Sequence, residues 1–195
     1  MEKKFVWTLN SLPRKFYSRD TVIVAKALLG KRVVRKLGKK TISGIIIETE
    51  AYRHKDDSAS HAFRRKTERN KAMFEEVGRA YVYFTYGMYF CFNVVAKNPK
   101  VDAGAVLIRA IYPEKGLEIM KMNRGKSDER HLADGPAKFT QAFNITKKQY
   151  GLDLTSNREL YISEGIKKQG RIIASPRIGI RTALDNLWNF KLELN

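Results

Sequence analysis

Cysteine is nearly absent from this sequence. Cys91 stands alone among 195 residues, so no disulfide can form within the chain and a reducing compartment fits. Proline occurs only five times, and no segment is repetitive or of low complexity. No run is long and apolar enough for a membrane span, and the opening MEKKFVWTLNSLPRKFYSRD has no signal-peptide core. An intracellular protein without membrane contact is the expectation. Neither GxxxxGK with a following Ser or Thr, nor GxGxxG after a strand, occurs, which argues against a nucleotide cofactor. His54, His61 and His131 make no HxxxH pair, and one cysteine cannot build a zinc cluster. Asp56 and Asp57 could in principle join Glu48 and Glu50 on a magnesium ion, but adjacent acids in a polar loop are normally solvated. Neither a metal nor any other cofactor is expected.

Acids are scarce as well. Twenty Asp and Glu face 38 Lys and Arg, for a net charge of +18. Such an excess favours a polyanion, nucleic acid ahead of an anionic membrane; a merely solvated cationic surface is the plain alternative. With 43% hydrophobic and 30% charged residues, the chain reads as globular, and its length suits one domain with a real core.

What the sequence does hold is aromatic density. YVYFTYGMYFCFN, residues 81–93, gathers seven of the 21 aromatic side chains around a turn signal at Tyr86-Gly87-Met88. Alternation along the first strand puts Tyr81, Tyr83 and Thr85 on one face and Val82 and Phe84 on the other. Phe84, Phe90 and Phe92 read as core. The tyrosines, with Tyr52, offer flat faces with polar handles, suited to sandwiching a nucleobase. Tyr86, at the tip, is placed to wedge between stacked base pairs.

Elsewhere DTVIVAKALLG reads as a short helix, with Asp20 its cap and Gly30 its stop. Two strands follow, joined near Gly38, the second running from Ile42 to Glu50. Residues 53–74 are polar and aperiodic, a long loop of the kind that usually serves function. Residues 104–111 form a strand. Pro113 is expected to begin a helix ending at Gly125, and Asp134 and Pro136 to open another with Phe139, Ala142 and Phe143 on one face. The tail gives a strand, a turn and a closing element. Strands and helices mix without a βαβ rhythm, so the fold class is α+β.

Glu48 and Glu50, two apart at a strand end, point to one face. At the rim of a partly buried cleft, a carboxylate gains the basicity to activate water. Arg109 and Asn93 are polar positions in apolar strands and need partners: Arg109 one of these acids, Asn93 a ligand edge. Ordinary ion pairing explains them equally well on pattern alone.

ETEAY and YGMYFCFN, in this order and spacing, resemble the alkyladenine (3-methyladenine) DNA glycosylase family. The likeness runs from LPRKFYSRDTVIVAKALLGK through DGPAKFTQAFNI to SPRIGI. It implies one glycosylase domain over 1–195, a mixed fold around a curved antiparallel sheet with a protruding hairpin and surrounding helices. It implies hydrolysis of the N-glycosidic bond of a flipped, damaged purine in double-stranded DNA by a monomer, cytoplasmic and nucleoid-associated if the source is bacterial. Glu50 then matches the general base and Arg109 its supporting cation. Tyr52, His61 and Tyr83 match the base pocket, and Asn93 the residue that crowds guanine's exocyclic amine. Tyr86 matches the intercalating residue; Met88, Lys138 and Arg177 match DNA-backbone contacts. Lys31 to Lys40, Arg64 to Lys71 and Lys167 to Arg171 are further candidates for phosphate. Two rivals stand beside this reading: a binding module without catalysis that stacks bases on the hairpin, and a glycosylase-lyase using a lysine nucleophile.

Overall fold

The structure is a computed structural model describing residues 10–125, 128–129, 131–166 and 170–193. A single helical turn, α1 (Arg14–Tyr17), leads into α2 (Thr21–Leu28). Asp20 caps α2 through the Val22 and Ile23 amides, a contribution of about 1 kcal/mol. Gly30, at φ 80°, turns the chain out in the left-handed region. Val24, Ala25 and Leu28 form the face that α2 buries in the main core.

The strands are β1 (Arg32–Leu37), β2 (Lys40–Tyr52), β3 (Ala80–Thr85), β4 (Tyr89–Val95), β5 (Ala105–Lys115), β6 (Leu160–Ser163), β7 (Ile172–Ser175) and β8 (Asn189–Leu192). They make one antiparallel sheet in the order β3-β4-β5-β2-β1-β6, with β8 joining β2 and β7 joining β8. β2 makes the sheet curl. Its first half pairs with β1, Glu48 to Glu50 pair with β8, and β5 follows its other edge. Register shifts at Ser43/Gly44 and on both sides of Glu48 bend it, because a bulge strengthens local twist. An antiparallel sheet packed with short helices is α+β, as the pattern indicates.

The helix does not begin at Pro113. β5 continues through Pro113 to Lys115, and α3 spans Leu117–Arg124 after Gly116, which sits at φ 80°. Pro113 fits a strand here because β4 pairs with β5 only as far as Leu107, and because Pro113 faces Gly44 at a register shift. A Cβ on Gly44 would lie 2.5 Å from the Tyr112 carbonyl oxygen, so only glycine allows the approach. α4 (Pro136–Ala142) does begin at its proline, and Phe139, Ala142 and the following Phe143 are buried. Phe139 meets Phe92 and Phe143 edge-on at 5.9 and 4.8 Å between centroids.

β3 and β4 form the expected hairpin, paired from Ala80↔Val94 to Thr85↔Tyr89. Its phenylalanines divide. Phe92 is fully buried and Phe90 half-buried, but Phe84 is 50% exposed. The hairpin parts from β5 beyond Asn93, so the sheet does not continue behind its outer half, and Phe84 lies outside the core.

Candidate active site

The floor of the site is built on β2. Its pleat sends Glu48 and Glu50 to one side, where β5 delivers Arg109 and β8 delivers Asn189. Glu50 is 0% exposed and accepts from the Tyr52 hydroxyl at 2.8 Å, the Ile178 amide at 2.8 Å and Asn189 Nδ2 at 3.1 Å. Arg109 Nη1 lies 3.4 Å from Glu50 Oε2, while its Nε donates to Glu48 Oε1 at 3.0 Å. Glu50 therefore lies beneath the floor and not at its rim; Glu48 is the outer acid of the pair. Burial opposes the Arg109 charge, but the two carboxylates outweigh it and hold the guanidinium above its ordinary pKa. Burial, with Glu50 beside it, likewise keeps the Tyr52 phenol protonated, and hence a donor.

A second ion pair braces this floor. Arg177 and Asp57 are both fully buried, joined by two 2.7 Å bonds, and Arg177 Nη1 also donates to the Ala51 carbonyl at 2.9 Å. The guanidinium carbon lies 4.6 Å from the Tyr52 ring centroid and 5.2 Å from that of Trp188. Arg177 thus stacks on a pocket wall and immediately precedes the amide that holds Glu50. Expected at the DNA backbone, Arg177 is instead buried and turned inward, with both Nη atoms on Asp57 and only Nε without a partner among the described residues. Asp57 is not solvated either, and among the described residues no group of three or more His, Cys, Asp or Glu could hold a metal ion.

Above the floor opens a cavity of about 300 Å³, lined by Tyr52, His61, Tyr83, Tyr86, Asn93 and Arg109 among others. The His61 ring stands edge-on to Tyr83 at 4.7 Å, and its Nδ1 lies 2.8 Å from the Tyr81 hydroxyl. Burial, with the charge of Arg69 beside it, pushes the imidazole down to about 4, so it is neutral near pH 7. Asn70 holds the His61 loop, donating from Nδ2 to the carbonyls of His61 at 2.7 Å and Arg65 at 3.0 Å. Asn93 is buried and donates to the Tyr81 carbonyl at 3.0 Å. Cys91 also faces the cavity.

At the hairpin tip Tyr86 is 84% exposed and adopts φ 51°, a left-handed conformation uncommon for a side-chain-bearing residue. Met88 beside it is 64% exposed. Lys138, on the first turn of α4, is half-exposed and pairs with Asp134 at 2.9 Å. The basic stretch 31–40 is largely engaged: Lys31 pairs with Glu164, Arg32 with Glu114, and Arg35 is buried against Glu159. Arg64, Arg65 and Lys66 are exposed. Of the third cluster, residues 167–169 lie outside the described residues.

Asn189 was not anticipated: it opens the four-residue β8 (NFKL), so it lacks the signal that singled out Asn93, an amide inside an apolar strand. Asp57, Arg177 and the Ile178 amide gave no such signal, since each acts through a contact more than a hundred residues away in sequence.

Ring faces around a nucleobase-sized slot, over a sealed carboxylate and on a strongly cationic α+β scaffold, define an enzyme that operates on single bases of nucleic acid. The chain belongs to the methylpurine-DNA glycosylase (MPG) family, whose model matches residues 15–195. It is similar to a protein named "Putative 3-methyladenine DNA glycosylase" in Carboxydothermus hydrogenoformans, 49% identical across 94% of this chain and 96% of that one. Proteins of the same name in Clostridium acetobutylicum (42% identical; 94% and 95% covered) and Methanocella arvoryzae (44% identical; 92% and 90% covered) are similar too. The chain is thus a DNA glycosylase, a DNA-repair enzyme with DNA as substrate and alkylated bases as its target class. Among the described residues, no helix is long and apolar enough to cross a membrane.

Proposed function

We propose that this chain, as a monomeric intracellular enzyme and one domain over 1–195, flips a damaged purine out of duplex DNA and hydrolyses its N-glycosidic bond, leaving an abasic site. The observation that carries this reading is Glu50, buried and held by side chains and an amide directly beneath a slot walled by tyrosines. Tyr52, Tyr83 and His61 sandwich the base, and Asn93 crowds a purine bearing an extra exocyclic amine. Tyr86 fills the space vacated in the stack, while Met88 and Lys138 meet the backbone.

In the reaction the C1′–N bond breaks with its electrons going to the purine, through an oxocarbenium-like sugar. Water bonds to C1′ and Glu50 takes its proton. A carboxylate offers about four acceptor positions, and Glu50 already has four partners within reach. Water therefore joins where the hold is weakest, at the 3.4 Å contact with Arg109. An alkylated purine such as 3-methyladenine carries positive charge, so it departs as a neutral base and needs no acid. The tyrosine faces favour that cation. Hypoxanthine or ethenoadenine would require a proton on the leaving base.

The test is incubation with duplexes holding methylated purines, hypoxanthine or ethenoadenine, without added metal, scoring abasic sites. Glu50→Gln should slow release by about 10²–10⁴-fold with lesion binding nearly intact. Cleavage at the parent rate makes the general-base assignment wrong. Borohydride should trap no covalent adduct; an adduct would move the chemistry to a lysine.

A further inference from the structure

The hairpin has two faces, and only one of them belongs to the slot. Tyr81 and Tyr83 point into the lesion cavity. The alternate residues of the same strand, Val82 and Phe84, point the other way, into a second cleft of about 570 Å³ that Phe90, Arg69, Lys147 and Tyr150 also line, with Tyr83 on the border of both spaces. Phe84 and Phe90 are cross-strand partners with centroids 5.1 Å apart and planes inclined at 53°, so together they present two adjoining aromatic faces. Phe84, half-exposed, contributes little to the core.

Charge flanks these faces. Lys71 is bonded to Glu68 at 2.8 Å, which cancels that pair. Arg69 and Lys147 remain. Arg69 is fixed, not free: its Nη2 donates to the Phe84 carbonyl at 3.3 Å, and its guanidinium carbon lies 5.3 Å from the Tyr83 centroid. It stands on the partition between slot and cleft, with a cation available to either side. Lys147 is exposed at the start of a short 3-10 helix and makes no ion pair with any described residue.

Two tilted aromatic faces flanked by Arg69 and Lys147, neither in an ion pair with any described residue, are complementary to a ligand with a flat apolar body and a negative chain. We infer that this cleft binds single-stranded DNA, one unstacked base lying on Phe84 and Phe90 with neighbouring phosphates against Arg69 and Lys147. The inference rests on the chain's action on DNA, but not on the chemistry assigned to Glu50. An unpaired base suits the cleft because every base has a ring face, and such stacking is tolerant of sequence.

Binding of a short undamaged oligothymidylate, followed by fluorescence anisotropy over a range of salt, tests it. Phe84→Ser should weaken binding by at least about five-fold, the loss of one stacked base. Lys147→Gln should reduce the slope of log affinity against log salt by about 0.7, the share of one phosphate on a single strand. Both variants should keep the parent melting temperature and the parent single-turnover excision rate on lesion duplex. Failure of the parent chain to bind oligothymidylate overturns the inference. So does binding by both variants within about two-fold of the parent, or an excision rate that falls in step with binding. Should the parent release no damaged base while the binding effects appear, the proposed hydrolysis fails and the cleft stands.

Discussion

Replacing Asp57 with Asn isolates the buried ion pair that joins the loop after β2 to the loop after β7. The substitution keeps size and one carbonyl oxygen, which can serve the Arg53 amide (3.0 Å, now on Oδ2) or the Ala59 amide (3.2 Å, now on Oδ1) but not both. It removes the charge facing Arg177, whose side chain is fully buried and whose Nε already has no hydrogen-bond partner among the described residues. A charge left alone at such depth costs about 3–5 kcal/mol. Against a total stability of about 5–15 kcal/mol, that is a large fraction. At roughly 2–4 °C per kcal/mol for a chain of this size, the melting temperature should drop by about 6–20 °C. Adding Arg177→Met removes the orphaned cation while keeping a side chain against Tyr52, so the double variant should regain most of the loss. Urea unfolding of parent, single and double variants measures both quantities. A single-variant loss below about 1 kcal/mol, or a double variant no more stable than the single, refutes the reasoning.

Tyr86→Ala should weaken binding to lesion duplex by about ten-fold and binding to single strands by much less; equal losses in a paired titration count against a wedge. His61 supplies a pH dependence. Its folded imidazole is held down at about 4 against an ordinary value of 6.5, so between these the unfolded chain binds the extra proton. Stability should therefore decline as pH falls from 6.5 towards 4 and show no further contribution from His61 below that. An NMR titration placing His61 at or above 6.5 contradicts this. Tyr17 is fully buried, and its hydroxyl has no hydrogen-bond partner among the described residues. Tyr17→Phe should leave stability unchanged or raise it by up to about 1–3 kcal/mol in urea unfolding; a comparable loss would mean that the hydroxyl is satisfied.

Features legible in the sequence were those written in local chemistry. Asp20 and Gly30 mark their helix because a cap and a left-handed stop act within one turn. The hairpin follows from alternation around Tyr86-Gly87, and Glu48, Glu50 and Arg109 were drawn together as an acid pair and a cation inside apolar strands. Pro113 misled because its tolerance in β5 depends on Gly44, a residue 69 positions away. The buried setting of Arg177 is hidden for a similar reason. The resemblance put it at the DNA backbone, and only the fold shows Asp57 brought to it. Phe84 shows the converse: its strand pattern says core, but whether the outer hairpin has any backing is a matter of where β5 and β4 part.

Glu50 lies on the strand most tied down at its own position, bonded to Leu107 of β5 on one edge and Asn189 of β8 on the other. Its neighbours in the slot come from looser material: His61 from a loop, Tyr86 from a turn at the sheet's free end, Ile178 from the segment after β7. On the roles proposed above, scission and selection fall to parts of the molecule with different numbers of backbone partners. If those roles hold, descendants of this chain can change which damage they accept by rewriting the peripheral segments, while the acid keeps its setting.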